Sequence, residues 1–275
     1  MPNLEVPGAT LYYETFGSGP LLLLIPGADG RGSIFHEVAA HLSAHFTVAC
    51  WDRRGYSKSQ FKGSQDLANR LSTDADDAQR LIQHLSHDNP ATATVFGTSS
   101  GAIVANKLLE LHPECVKTLI AAEPPSFSVL PEEFRNRGQE LIHHIYDVYR
   151  ANGPIAAMEI FTGRFFAGEE ATLVRGCMDW ARADEIRANS QFWFEFELRQ
   201  YPPSEVDLES IIREREKYIP AAGIETGDGP GAGPITVIAK AVGREILRLP
   251  GGHMGYMTKP KEWTDMLLEG VKVHQ

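Results

Sequence analysis

The most informative stretch of the chain is a serine with a glycine two positions away on either side. Residues 97–101 read Gly-Thr-Ser-Ser-Gly, which places Ser99 at the centre of a G-x-S-x-G pattern. The apolar residues 92–96 precede the pattern and favour a buried strand, and residues 102–111 follow it as an apolar helix. In a tight strand-to-helix turn the glycines remove Cβ atoms that would clash, and the serine hydroxyl projects from the sheet. The pattern therefore predicts Ser99 as a nucleophile.

One of the ten histidines has a position that suits a general base. His253 follows the sequence Leu-Pro-Gly-Gly at 249–252, directly after the last predicted strand at 245–249. A loop there lies at the carboxyl edge of the sheet, where open α/β sheets hold their sites. The other nine histidines lie in predicted helices, at helix ends or in the C-terminal tail. We therefore predict that His253 takes the proton of Ser99.

Strand-like and helix-like segments alternate along the chain. The predicted strands are 10–16, 21–25, 46–51, 92–96, 116–122, 218–224 and 245–249, and the predicted helices are 33–43, 73–85, 102–111, one ending at 241, and 260–271. Residues 21–25 are continuously apolar, as expected for a strand that is covered on both faces. The alternation predicts a mostly parallel sheet with helices on both faces.

Residues 126–215 have a different character, because they are helix-forming, poor in strand patterns and rich in aromatic residues. We interpret them as a helical cap inserted over a core domain made of 1–125 and 216–275. Trp193 and its neighbours Phe192, Phe194 and Phe196 make the cap strongly apolar. If they line the site, they predict an apolar substrate that is aromatic or macrocyclic. The alternative is that these aromatic residues form only the core of the insertion.

Because of the G-x-S-x-G pattern at Ser99 and the histidine after the last strand, the chain resembles the α/β-hydrolase superfamily. Residues 52–59, Asp-Arg-Arg-Gly-Tyr-Ser-Lys-Ser, look like its D-x-R-G-x-G-x-S segment, and the resemblance covers roughly 3–125 and 216–272. It implies a mostly parallel eight-stranded sheet with a cap after strand 6, and a serine hydrolase that needs no cofactor. It also implies an oxyanion hole made by the backbone N–H groups of Ala28 and Ser100. Pro26 stands where the family usually has histidine, which leaves that backbone donor intact.

A narrower similarity is to zearalenone-type lactone hydrolases. These share a Ser-Ser pair in the turn, a glutamate soon after the sixth strand, and a tryptophan upstream of Pro-Pro in the cap. In this sequence the corresponding residues are Ser99 and Ser100, Glu123, and Trp193 before the prolines at 202–203. This similarity implies an aromatic or macrocyclic ester or lactone as the substrate.

The acid partner of His253 is not in its usual place. The fold commonly puts an aspartate after the seventh strand, at the end of G-x-x-D, but here 223–226 read Gly-Ile-Glu-Thr. We predict Glu123 instead, because it follows the strand 116–122 and its longer side chain suits reaching His253 from a neighbouring strand. Glu225 and Asp228 remain rival candidates.

Composition limits the partners of the protein. The net charge of −10 disfavours nucleic acid and anionic membrane surfaces. The three cysteines are scattered and give neither a disulfide framework nor a zinc pattern. No secretory signal is visible in the sequence. We therefore expect a cytoplasmic protein with a small-molecule substrate and no metal. The sequence leaves a homodimer open.

The sequence thus predicts hydrolysis of a carboxylic ester or lactone through an acyl-enzyme. Enzymes of this fold with a carboxylate nucleophile are disfavoured, because Ser99 occupies that position. The alternatives are a lyase or haloperoxidase-type enzyme that uses the same three residues, or a small-molecule receptor built on the same fold.

Overall fold

A computed structural model describes residues 2–226 and 232–273. These residues contain nine strands, which form one sheet. In chain order the strands β1 to β9 are Asn3–Val6, Ala9–Phe16, Leu21–Ile25, Thr47–Trp51, Gln60–Phe61, Ala93–Thr98, Val116–Ala122, Tyr218–Gly223 and Leu247–Leu249.

The sheet has the order β1-β2-β4-β3-β6-β7-β8-β9. From β4 to β9 every neighbouring pair is parallel, whereas β2 pairs antiparallel with β1 and β4. This confirms the mostly parallel sheet, but the predicted number of eight strands was one too few. The ninth is β5, which pairs with β2 at the edge and has only two exposed residues, so it carries no hydrophobic pattern.

Eleven α-helices occur in the described part of the chain. In chain order α1 to α11 are His36–Leu42, Arg70–Leu85, Ser100–Leu111, Glu132–Asn152, Pro154–Phe165, Gly168–Cys177, Asp184–Phe196, Leu208–Arg213, Gly233–Val242, Gly255–Thr258 and Pro260–Val273. The predicted helix at 33–43 is divided into a 3-10 turn, Gly32–Phe35, and α1. None of the described helices has the length and hydropathy that a membrane crossing requires.

Two apolar cores lie on opposite faces of the sheet, and β3 contributes to both. Leu21, Leu23 and Ile25 pack in the core formed with α2, α3, α8 and α9, whereas Leu22 and Leu24 pack in the other core with α1 and α11. Because successive side chains of a strand point to opposite faces, an unbroken apolar run is what a strand between two helical layers needs.

Residues 126–215 connect β7 to β8, and we call them the helical segment. They contain α4 to α8. Apolar residues of this segment, among them Ile145, Met158 and Phe194, join the core that contains α1 and α11. The helical segment is therefore packed onto the same body as the sheet and is not a detached unit.

Candidate active site

Ser99 lies in the turn between β6 and α3, in a backbone conformation that residues other than glycine rarely adopt. Its φ is 54° and its ψ is −129°, and its N–H donates to the carbonyl of Ala122 at 2.9 Å. A Cβ on Gly97 would come within 2.5 Å of the Gly101 carbonyl oxygen, and one on Gly101 within 2.3 Å of the Ile25 oxygen. Both glycines are thus required by close backbone contacts, and together they allow the turn that presents Ser99.

Glu123 follows β7 directly and is also left-handed, with φ at 47°. Its carboxylate is buried, and Oε1 accepts a hydrogen bond from the Gly223 N–H at 2.8 Å. The other oxygen, Oε2, is hydrogen-bonded to Nδ1 of His253. Burial alone would raise the pKa of Glu123, but the hydrogen bond and charge of His253, with the Gly223 N–H, hold that pKa below its ordinary value. Glu123 is therefore ionised beside the histidine ring.

His253 lies in the loop between β9 and α10. Burial alone would lower the pKa of its ring, but the hydrogen bond and charge of Glu123, with the charge of Glu170, raise the pKa above its ordinary value. The contact with Glu123 occupies Nδ1, so Nε2 is the nitrogen left for a substrate or a nucleophile. Phe166 meets the ring edge-on, with the ring centres 5.4 Å apart.

Ser99 and His253 both line the same two cavities. No hydrogen bond joins the Ser99 hydroxyl to the histidine ring within residues 2–226 and 232–273. In ligand-free sites such contacts are often long and tighten only when substrate binds.

The two rival acids differ from Glu123. The Glu225 side chain is 55% exposed and pairs with Lys259 instead of with His253. Asp228 lies outside the described residues. Thr226, which fills the family's usual acid position, has no carboxylate, and it lines the cavity beside Glu123 and His253.

The predicted oxyanion donors are two backbone N–H groups that have no hydrogen-bond partner in the described part of the chain. These are the N–H groups of Ala28 and Ser100. Ser100 is the first residue of α3, where the helix itself provides no acceptor. Unpaired backbone donors are rare in protein interiors, so a pair of them beside a serine hydroxyl is suited to an anionic oxygen.

Two small apolar cavities meet at Ser99. The first has a volume of about 90 Å³ and is lined by Phe127, Phe165, Trp193 and Leu198 among others. The second has a volume of about 50 Å³ and is lined by Ile34, Val174, Met178 and Tyr256 among others. Both include Phe161 and Phe166 from the helical segment. The structure thus places Trp193 on the wall of the first cavity, packed against Phe161 at 5.1 Å between ring centres.

A polar groove of about 480 Å³ lies on the outer side of His253. It shares Phe165, Phe166, Thr226 and His253 with the first cavity, so these four residues stand between the cavity and the groove.

Sequence reasoning missed two carboxylates of the helical segment. Glu170 of α6 accepts hydrogen bonds from the N–H of His253 at 3.1 Å and from that of Met254 at 2.8 Å. No pattern in the sequence pointed to this residue.

Glu197 directly follows α7, is buried and lines the first cavity. Burial alone would raise its pKa, but the charges of Arg53 and Arg70 hold the pKa below its ordinary value. Its place in the aromatic run Phe-Trp-Phe-Glu-Phe-Glu was a signal, because a carboxylate there must be paired.

In the part of the chain that the structure describes, no group of three or more His, Cys, Asp or Glu side chains is arranged to hold a metal ion. The residues gathered around Ser99 are a hydroxyl, an imidazole, a carboxylate and two free amide donors. Such a set can form and break an acyl bond through proton transfer and electrostatic stabilisation.

Comparisons with known proteins identify the family and the fold of the chain. A family model described as alpha/beta hydrolase fold matches residues 20–198. The chain is 29% identical to the uncharacterized hydrolase YraK of Bacillus subtilis (strain 168), over 99% of this chain and 97% of that protein.

Solved structures of other proteins share the fold. A thermophilic esterase from Thermogutta terrifontis superposes with a TM-score of 0.72 at 18% identity, covering 100% of both chains. An enol-lactonase from Burkholderia xenovorans LB400 superposes with a TM-score of 0.70 at 16% identity, covering 98% of this chain and 100% of the other.

Proposed function

Because the chain belongs to the alpha/beta hydrolase fold family, we propose that it is a serine hydrolase that cleaves carboxylic esters or lactones of small apolar compounds. The observation that carries this proposal is that Ser99, in its left-handed turn, lines the same cavity as a histidine that is hydrogen-bonded to the buried carboxylate of Glu123. All three side chains line one cavity. The esterase and lactonase with the same fold support this reaction class.

The proposed reaction is acyl transfer to water in two steps. The Ser99 oxygen attacks the substrate carbonyl, His253 takes the serine proton, and Glu123 stabilises the imidazolium that results. The carbonyl oxygen becomes an anion that the N–H groups of Ala28 and Ser100 bind. The tetrahedral species then expels the alcohol, which receives the proton from His253. Water repeats the sequence on the acyl-Ser99 bond and releases the acid.

The apolar lining selects the substrate. The two cavities on either side of Ser99 suit an ester whose acyl and alcohol parts are both compact and apolar, since few polar groups face them. A larger aromatic or macrocyclic lactone remains a prediction, and it requires Phe165 and Phe166 to move toward the outer groove. We propose that the helical segment acts as a cap that shields the site from bulk solvent, while the single water needed to hydrolyse the acyl-enzyme still enters.

A panel of p-nitrophenyl esters, from acetate to dodecanoate, together with dihydrocoumarin as an aromatic lactone, tests the function. We expect turnover with the short esters and a decline as the acyl chain outgrows the cavity. Purified Ser99→Ala protein is the control, and it should give no turnover above buffer. Absence of turnover on every ester and lactone in the panel would contradict the proposed reaction class.

A further inference from the structure

The carbonyl oxygen of Gly27 is held from two sides. It accepts a hydrogen bond from Nη2 of Arg53 at 2.7 Å and another from the Gly30 N–H at 2.8 Å. A peptide unit is planar and trans, so its C=O and the N–H of the next residue point in opposite directions. Fixing the Gly27 carbonyl therefore fixes the direction of the Ala28 N–H.

The same peptide unit lies directly against the nucleophile. A Cβ built on Gly27 would lie 2.9 Å from Cβ of Ser99 and 3.6 Å from its Oγ. Ala28 lines both cavities together with Ser99, and its N–H has no hydrogen-bond partner among the residues that the structure describes. The unpaired Ala28 N–H is thus next to Ser99, while the Gly27 carbonyl of the same peptide unit is held by two hydrogen bonds.

Arg53 is itself held in one orientation by two buried carboxylates. Its Nη2 donates to Glu197 at 2.8 and 3.0 Å, and its Nη1 donates to Asp74 at 3.0 Å. The side chains of all three residues are fully buried. The planar guanidinium can bind Gly27 and both carboxylates at once because its donors point along fixed, separate directions.

We propose that Arg53 is a positioning residue of the oxyanion hole: it fixes the Gly27–Ala28 peptide so that the Ala28 N–H faces the anionic oxygen, and Glu197 holds Arg53 in place. This inference rests on the proposed function. The charged donor on the carbonyl also polarises the peptide, which makes the Ala28 N–H a stronger donor. Glu197 belongs to the helical segment, so the segment helps to organise the oxyanion hole as well as to cover it.

Arg53 is distinct from the arginine of the family motif. In D-x-R-G the motif arginine corresponds to Arg54, which forms a two-pronged ion pair with Asp77 at 2.7 Å from both nitrogens. Arg53 stands at the variable position of the motif. The assignment therefore comes from the contacts of Arg53 in this chain.

Arg70 provides a matched control. It is buried like Arg53 and contacts the same two carboxylates, Glu197 at 3.2 Å and Asp74 at 3.6 Å. Its hydrogen bonds do not include Gly27. Replacing either arginine by lysine keeps the positive charge and removes the planar guanidinium, but only the change at Arg53 should disturb the Gly27–Ala28 peptide.

The experiment measures p-nitrophenyl butyrate hydrolysis and inhibition by phenylboronic acid in Arg53→Lys and Arg70→Lys. Boronic acids form a tetrahedral adduct with the serine, so their affinity reports on the oxyanion hole. Because small displacements of catalytic groups cost about 10²-fold, we expect Arg53→Lys to lower kcat and weaken phenylboronic acid inhibition by about that factor. KM should change by less than about threefold, and Arg70→Lys should stay within about threefold of the wild type in all three values.

Equal effects of the two substitutions, or a change of KM alone in Arg53→Lys, would overturn the inference and leave the proposed function standing. Retained turnover in Ser99→Ala would overturn both. If Arg53→Lys does not fold, Glu197→Gln is measured in its place. This variant keeps the Arg53 side chain but weakens the ion pair that holds Arg53 in place. Phenylboronic acid binding should then weaken at least threefold more than binding of benzoate, which makes no tetrahedral adduct, and equal weakening would contradict the proposal.

Discussion

The sheet and the helical segment contribute to the site in different ways. The sheet supplies the groups proposed to react: Ser99, Glu123 and His253 each follow the end of a strand at one edge. The helical segment supplies apolar walls such as Trp193, and carboxylates that contact loops of the sheet. Glu170 binds the backbone of the His253 loop. The groups proposed to react therefore stand at the ends of strands, while the segment over them lines the cavity and contacts the loops.

This difference predicts a gradient of mutational effects. Changes at the strand ends should reduce kcat by orders of magnitude, because they remove charges or donors that act in the transition state. Changes in the helical segment other than at Glu197 should act mainly on KM, on the pH profile or on stability.

The largest effect is expected at the nucleophile. Ser99→Ala should reduce kcat by about 10⁶-fold, the loss typical when a triad nucleophile is removed. Ser100→Ala should cost far less, since Ser100 is proposed to act through its backbone. Steady-state turnover of p-nitrophenyl butyrate by both variants measures the difference. An inactive Ser100→Ala beside an active Ser99→Ala would show that the wrong serine was assigned.

The next effect is expected at the acid. Glu123→Gln should reduce kcat by about 10⁴-fold, because the histidine loses the charge that fixes its tautomer. Glu225→Gln is the matched control, since Glu225 is half-exposed and bound to Lys259. Comparison of kcat at one fixed pH separates the two. If the kcat of Glu225→Gln falls by orders of magnitude while Glu123→Gln keeps most of its kcat, the acid partner of His253 follows β8 and not β7.

A smaller loss is expected in the oxyanion hole. Ala28→Pro removes one backbone donor and should lower kcat by about 10²–10³-fold. Circular dichroism and thermal unfolding establish that the variant is folded. An unchanged kcat in that folded protein would refute the role of the Ala28 N–H.

In the helical segment, Trp193→Phe should raise KM by about threefold to tenfold for aromatic esters, because it removes part of the cavity wall. Phe194→Leu is the control, because Phe194 is a fully buried neighbour that stacks on Tyr149 instead of lining either cavity. Both should lose stability, but only the first should change KM. Equal KM values in the two variants would assign Trp193 to the core of the segment alone.

The smallest effect is expected at Glu170. His253 must be neutral to act as a base, so kcat/KM falls as the pH drops through the pKa of its ring. Glu170 raises that pKa, so Glu170→Gln should move the acid limb of the profile to lower pH. The cost in kcat at neutral pH should stay below about tenfold, because Glu170 is partly exposed and its charge is screened. An acid limb that stays in place, measured from pH 5 to 9, would contradict the influence of Glu170.

The sequence predicted the sheet better than the helical segment. Strands β3 and β7 have the predicted limits, Leu21–Ile25 and Val116–Ala122, because continuous apolar runs bounded by turn residues are a strong local signal. The two-residue strand β5 gave no such signal. The turn at Ser99 was also predictable, since the need for glycines at 97 and 101 arises within a few residues.

The contacts made by the helical segment could not be predicted, because they join residues far apart in the chain. Glu197 meets Arg53 across 144 positions, and Glu170 meets the backbone of His253 across 83. Such pairs depend on how helices pack against the sheet, which leaves no local pattern. The same holds for the Gly27 carbonyl and Arg53, whose contact follows from the fold of two separate loops.

The most direct test of the central claim is covalent labelling of the native protein with a fluorophosphonate, read by intact mass and peptide mapping. The probe reacts with a serine only when a neighbouring base activates it. We predict one label per chain, on Ser99, with labelling retained in Ser100→Ala and lost in Ser99→Ala. An unlabelled wild-type protein, or a label that persists in Ser99→Ala, would contradict the assignment of Ser99 as the activated nucleophile.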